Sequence, residues 1–207
     1  MTDVLHIAAS PKGAQSASRR IAEVFLDEVR RTQPQATVRE IALFEAALPE
    51  FGGTVVAAKF APLFGEALSA EQEDAWREVR AAIEDFDRAD KIVISCPMWN
   101  FGIPYPLKHY IDLLMQPRVT FAYDREKMVH YGLLRNRPVQ LVLTRSSTMP
   151  GDYADFQTPY LRLVLNYMGL QDVRVLTAWR TTRPTAEERE AYVSSFFEEA
   201  RAAARVF

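Results

Sequence analysis

Three short stretches of this chain hold the residue types best suited to chemistry. The first is Ser10 with Ser16-Ala17-Ser18, a run of hydroxyls entering an amphipathic segment. Free N–H groups and the dipole at a helix start attract anions, and nearby hydroxyls add donors. The dipole itself contributes only about 0.3–1 kcal/mol near a surface, so N–H and O–H donors must carry most of the affinity for a phosphate. The second stretch is Pro97-Met98-Trp99-Asn100-Phe101-Gly102. Aromatic side chains here can stack on a flat ring, while Asn100 and backbone N–H groups read its polar edge. Two aromatics flanking an asparagine beside a glycine fit a core poorly, because a buried amide needs partners. The third is Thr144-Arg145-Ser146-Ser147, a further source of hydroxyl and backbone donors.

Other chemistries find less support. Cys96 lies in or just past an apolar run, where a lone thiol is normally inert packing. His6, His109 and His130 have no ligand spacing with cysteine or carboxylates, so no zinc site is expected. A GxSxG elbow is absent, as are GxGxxG and Walker lysine patterns, which disfavours a hydrolase, a tightly held dinucleotide and a nucleoside triphosphate. Arg180, Arg183 and Arg189 read as a solvated rim.

The elements that must position these stretches alternate. Residues 4–9, 37–43, 92–94, 139–144 and 173–178 are short apolar runs that read as strands, the second more alternating than the rest. A helix opens at Ser18-Arg19-Arg20-Ile21, with Ile21, Val24, Phe25 and Val29 on its apolar face, and ends before Pro34. The least regular part is 45–68, with a short helix expected near 55–64. Ser69 with Gln72 forms a capping box before the helix bearing Trp76, Val79, Ile83 and Phe86. Pro104 and Pro106 suit the first turn of a helix that continues through 107–115. Residues 119–135 read as an excursion or hairpin. Thr158 is expected to cap a helix with Pro159 at its first position, running to Gly169. Thr185 with Glu188 marks a second capping box and one carboxyl-terminal helix to about Arg205.

Strands alternating with helices imply a parallel sheet covered on both faces. Five such strands fit a flavodoxin-like doubly wound α/β fold, with residues 1–207 forming a single FMN-binding domain. The exits of the first, third and fourth strands then share the carboxyl edge, where open α/β sheets bind ligands. A phosphate site, a flat-ring site and a second polar loop together describe a mononucleotide site, and FMN is the mononucleotide this topology places there.

At 207 residues and 48% hydrophobic, the chain can bury roughly 70% of its unfolded surface without a disulfide or structural metal. A net charge of −2 gives no reason to expect nucleic acid or an anionic membrane as partner. The single cysteine, the lack of a signal-peptide pattern at the start and the lack of a bilayer-length apolar run point to a soluble cytoplasmic protein.

The chain resembles the FMN-dependent NADH:quinone oxidoreductase and azoreductase family of flavodoxin-like proteins. The likeness rests on Ser10 with Ser16-Ala17-Ser18, on Met98-Trp99-Asn100-Phe101 followed by Gly-Ile-Pro and Leu107-Lys108, on Val119-Thr120-Phe121, and on Thr158-Pro159-Tyr160-Leu161 before Gly169. It spans nearly the whole chain, and the Met-aromatic-Asn-Phe loop is its most specific part. The resemblance implies that Ser10 and residues 16–18 hold the ribityl phosphate and that residues 98–101 border the isoalloxazine. The family's third loop is Ser-Arg-Gly-Gly-like; here Thr144-Arg145-Ser146-Ser147 replaces both glycines, which removes easy access to positive φ.

Two functions from different classes follow. One is an oxidoreductase that takes hydride from NADH or NADPH onto FMN and reduces a small aromatic acceptor, a quinone or an azo compound, in a ping-pong cycle. Backbone N–H groups of residues 99–102 would stabilise the reduced flavin's charge. The other is a flavodoxin-like electron carrier that docks a protein partner; carriers of that kind are strongly acidic, which −2 does not match. The resemblance further implies a homodimer with sites at its interface. Tyr160, Leu161, Val164, Tyr167 and Met168, with residues 119–123 as an arm, are the expected contact surface. Tyr123 and Tyr167 are candidate walls over the flavin.

Overall fold

The computed structural model describes residues 2–147 and 151–207, with all of their side chains except those of Leu63 and Asp152. Five parallel strands form the central sheet: β1 (Asp3–Ala8), β2 (Thr37–Ala42), β3 (Lys91–Pro97), β6 (Val139–Thr144) and β7 (Val173–Ala178). Their spatial order is β2-β1-β3-β6-β7, so successive strands are added first to one side of β1 and then to the other, with the switch point between β1 and β3. This is the flavodoxin-like doubly wound order expected from the alternation. β4 (Phe121–Asp124) and β5 (Val129–Gly132) make a separate antiparallel hairpin, the excursion anticipated for that segment.

Helices cover both faces because successive side chains of a buried strand point to opposite sides. Val93 of β3 packs with Ile21, Phe25 and Val29 of α1 (Ala17–Thr32) and with Ala200 and Phe207 at the carboxyl end. Its neighbours Ile92, Ile94 and Cys96 face the other layer, built from α3 (Ala70–Asp87), α4 (Tyr105–Leu114) and α5 (Thr158–Met168), with α2 (Gly53–Phe60) at its margin. Each layer buries its own apolar cluster.

Both capping boxes form: Ser69 with Gln72, and Thr185 with Glu188. Three local expectations change. Helix α1 opens at Ala17 rather than Ser18, with Ser16 as its cap, Oγ accepting from Arg19 N–H at 3.4 Å. Thr158 is inside α5 rather than its cap. Asp155 does the capping, its Oδ1 accepting from the N–H groups of Gln157 (3.0 Å) and Thr158 (2.9 Å). The carboxyl-terminal helix is two helices, α6 (Ala186–Ser194) and α7 (Phe197–Arg205). The break falls at Ser195, whose hydroxyl donates to Tyr192 O at 2.6 Å and so competes with the helical ladder. The turn lets α7 lie along α1, where Arg205 Nε donates to Glu28 at 2.8 Å.

Glu28 is nearly covered, and Arg31 donates two bonds of 2.7 Å to it. The bonds from Arg31, then those from Arg205, hold its carboxyl at about 2. A carboxylate with a depressed folded-state pKa contributes stability above its unfolded value and loses it as pH falls through the folded one. Glu28→Gln is therefore expected to lower the urea midpoint at pH 7, with the deficit closing as pH approaches 2. Equal deficits at both pH values would show that the charge is not what holds α7.

Candidate functional site

Four strand exits meet at the carboxyl edge of the sheet. Backbone bonds fix their relative heights: Ala9 N–H donates to Ser95 O (2.9 Å), Met98 N–H to Thr144 O (2.7 Å) and Arg145 N–H to Ala178 O (2.9 Å). Between the loops lies a cavity of about 250 Å³. Ser10, Ser16 and Ala17 line it from the first exit, Pro97, Met98 and Trp99 from the second, Thr144 and Ser146 from the third.

At the first exit, Ser16 is buried and its Oγ lies 3.1 Å from Ser18 Oγ, so Ser18 backs the wall rather than lining it. Ser16 O accepts from Arg20 N–H and Ser16 Oγ from Arg19 N–H, leaving the N–H groups of Ala17 and Ser18 without an acceptor among the described residues. Two hydroxyls and two free amides at the start of a 16-residue helix make a donor set that fits a phosphate.

The second exit turns sharply. Asn100 (φ 47°) and Phe101 (φ 69°) both sit in the left-handed region, the signature of a type I′ turn, and Asn tolerates it better than most residues. Trp99 N–H donates to Gly102 O (3.2 Å) and Gly102 N–H to Trp99 O (2.9 Å). Of the four amides expected to face a ligand, these two are therefore consumed by the turn. Those of Asn100 and Phe101 have no acceptor among the described residues. Trp99 and Phe101 remain 37% and 49% exposed, too open for core residues, and the Phe44 ring meets Trp99 at a tilt and Tyr105 edge-on, with centroids 5.6 Å apart in each pair.

At the third exit none of residues 144–147 has a positive φ, so the replaced glycines are not needed for this backbone path. Ser146 and Ser147 are exposed, whereas Arg145 is buried and turned away from the cavity. Its Nη2 donates to Asp155 (2.6 Å) and to Thr158 Oγ1 (2.7 Å), and its guanidinium lies 4.1 Å from the Trp179 ring centroid. Burial pushes Asp155 up, but the Thr158 N–H and Arg145 outweigh it and hold the carboxyl below the usual range. Arg145 thus braces the third loop against α5. Residues 148–150 of the anticipated exit loop lie outside the described residues.

Cys96 is fully covered, and burial pushes its thiol up to about 12 against a small pull from Gln157. At neutral pH it has essentially no thiolate and matches the inert reading. Among the described residues no group of His, Cys, Asp and Glu could hold a metal.

Six cavity residues escaped the sequence: Pro11, Lys12 and Gln15 in the first loop, Thr181 and Thr182 after β7, and Arg189 on α6. The fifth strand's exit, with its paired threonines, was a readable signal. The place of Arg189 was not: it is exposed, as a solvated rim requires, but the rim is that of the cavity. Arg183 is half-buried, stacked 3.7 Å over Tyr192.

Tyr123 and Tyr167 do not line this cavity within one chain. They flank His130, at 4.8 and 5.2 Å, on the hairpin and α5. The expected contact surface also changes, because Leu161, Val164 and Met168 face the core at 0%, 6% and 0% exposure. The exposed apolar residues there are Leu163 of α5 and Tyr123, Met128, Val129, Tyr131 and Leu133 at and beyond the hairpin.

A doubly wound sheet whose switch-point loops join phosphate donors to an exposed aromatic turn defines a mononucleotide-binding protein of the flavodoxin type. The chain belongs to the flavodoxin-like fold family, whose model matches residues 2–203. It is 37% identical over 211 residues, covering all of both chains, to an FMN-dependent NADH:quinone oxidoreductase of Nitratidesulfovibrio vulgaris. A protein of the same name, numbered 1, from Bradyrhizobium diazoefficiens is 37% identical over 188 residues, 89% of each chain. Among solved structures, an azoreductase from Bacillus anthracis superposes with a TM-score of 0.87 at 26% identity over all of both chains. An FMN-dependent NADH-azoreductase from Bacillus anthracis in complex with FMN gives 0.84 at 25% identity, over 99% of this chain and 98% of that one.

Proposed function

We infer that this chain is an FMN-dependent oxidoreductase that draws on NADH or NADPH and reduces small aromatic acceptors, quinones or azo compounds. The observation that carries the reading is one cavity in which the free amides and hydroxyls at the start of α1 meet the aromatic turn of the second exit. Ser10, Ser16 and the amides of Ala17 and Ser18 bind the phosphate; Pro97, Met98 and Trp99 flank the ring system, with Gly102 closing the turn. The amides of Asn100 and Phe101 supply preorganised donors for charge on the ring's polar edge. Thr144, Ser146 and Ser147 complete the third side, with Arg145 bracing them. Bound FMN supplies the two-electron hydride chemistry, and the protein supplies orientation and electrostatics. The relatives' names are those of enzymes, which favours this reading over an electron carrier.

Residues 1–207 act as one FMN-binding domain in the cytoplasm, and two copies pair as a homodimer. No helix among the described residues is long and apolar enough to cross a membrane. Support for pairing comes from the hairpin, where Met128, Val129 and Tyr131 are 73%, 48% and 50% exposed in a contiguous stretch. Pairing would bring Tyr123 and Tyr167 toward the partner's cavity as walls for the acceptor.

No second nucleotide fingerprint is present, so nicotinamide and acceptor use the same pocket in turn. Steady-state rates with both substrates varied are expected to give parallel double-reciprocal lines. Intersecting lines would mean that both ligands bind at once and would defeat the shared pocket.

A further inference from the structure

We propose that Arg189 of α6, with Lys12 of the first loop, forms a cationic wall that makes the cofactor cavity selective for a phosphorylated flavin, FMN over riboflavin. The inference rests on the flavin reading above and adds residues that the family likeness does not point to. Both side chains line the cavity, and both also line an open groove of about 630 Å³ beside it. Lys12, Arg20, Arg189 and Glu190 are the charged residues of that groove, three cations and one carboxylate, for a net charge of +2.

The carboxylate is already engaged. Glu190 accepts from Arg20 and from Ser194 Oγ, and the Arg20 hydrogen bond holds its carboxyl below the usual range. Arg20 is drawn off further by Phe197, 5.8 Å from its guanidinium. Among the described residues, neither Lys12 nor Arg189 has an ion-pair partner. Two unneutralised cations therefore border the cavity that holds Ser16 and the amide of Ala17. A phosphate dianion there gains charge-assisted bonds, and an uncharged ribityl end gains little.

The position of Arg189 is built rather than accidental. Past β7 the chain stays tied to the third loop, Thr181 N–H donating to Arg145 O (2.9 Å) and Thr182 N–H to Ser146 O (3.2 Å). The Thr185–Glu188 capping box then starts α6 within one turn of Arg189. The Arg20–Glu190 pair clamps α6 to α1 from the next residue along, and Arg183 is held aside by Tyr192. Of Arg180, Arg183 and Arg189, Arg189 alone lines the cavity.

The test is titration of apoprotein with FMN and with riboflavin, read by quenching of flavin fluorescence, at low and high salt. Arg189→Ala is expected to weaken FMN binding about tenfold and Lys12→Ala about threefold, the size of a charge-assisted bond to a partly exposed group. Riboflavin affinity should not change, and the salt dependence of FMN binding should flatten. Arg189→Lys should recover most of the loss. Unchanged FMN affinity in Arg189→Ala, or equal losses for FMN and riboflavin, would overturn the proposal while leaving the flavin site intact. Failure of the wild-type protein to bind FMN would instead remove the flavin reading, and this proposal with it.

Discussion

Alanine at both Ser16 and Ser18 is expected to weaken FMN binding about tenfold to a hundredfold. The Ser16 hydroxyl, held in place by Ser18, can make a charge-assisted bond worth about 1.5–3 kcal/mol, and 1.4 kcal/mol is a factor of ten. The two Oγ atoms are 3.1 Å apart and buried, so removing one also unseats the other. Ser16 additionally caps α1, and losing a cap costs about 1 kcal/mol of stability. Thermal melts of the double variant must therefore accompany the fluorescence titration, so that binding is compared between folded proteins. An unchanged FMN affinity would remove the phosphate from this helix start. Loss of riboflavin binding to the same extent would point to collapse of the loop instead.

The second large effect is structural. Gly132, the last residue of β5, packs against the end of α5 so closely that a Cβ there would fall 2.1 Å from Gly169 N and 2.3 Å from Gly169 Cα. No side-chain rotation relieves a clash with backbone. Gly169 itself has φ 109° and terminates α5 in the left-handed region, so it cannot give way cheaply. Gly132→Ala should cost about 3 kcal/mol or more in urea unfolding. It should also lift the β4–β5 hairpin off α5, since the neighbouring bond from Leu134 N–H to Met168 O (3.0 Å) seats it there. If the hairpin is the dimer contact, sedimentation of the folded fraction at micromolar concentration should show monomer. Wild-type stability in this variant would mean that the hairpin and α5 are not in this register.

The parts of the molecule legible in the sequence are those set by neighbours along the chain. Apolar runs such as Val139-Gln140-Leu141-Val142-Leu143 specify buried strands, because nearly every residue must be covered on one face or the other. Ser69 with Gln72 and Thr185 with Glu188 specify helix starts, because the bonds they make span three residues. Alternation of such elements leaves few topologies once connections are short and right-handed, so the sheet order and the shared carboxyl edge followed. Asn100 before Phe101 and Gly102 marked a loop built for recognition.

What only the tertiary structure decided depends on groups distant in sequence. Asp155 caps α5 because Arg145, ten residues earlier, holds it in place, a partnership with no local signature. Leu161, Val164 and Met168 could have faced a partner or the sheet; the register of α5 on β6 and β7 chose the sheet. The I′ turn consumed two of the four amides that composition alone offered to a ligand. Arg189 joined the cavity because an ion pair 170 residues apart, Arg20 with Glu190, draws α6 onto α1. Hydrophobic periodicity and capping act over a few residues and can be read directly; electrostatic neutralisation and side-chain direction are settled only when the layers close.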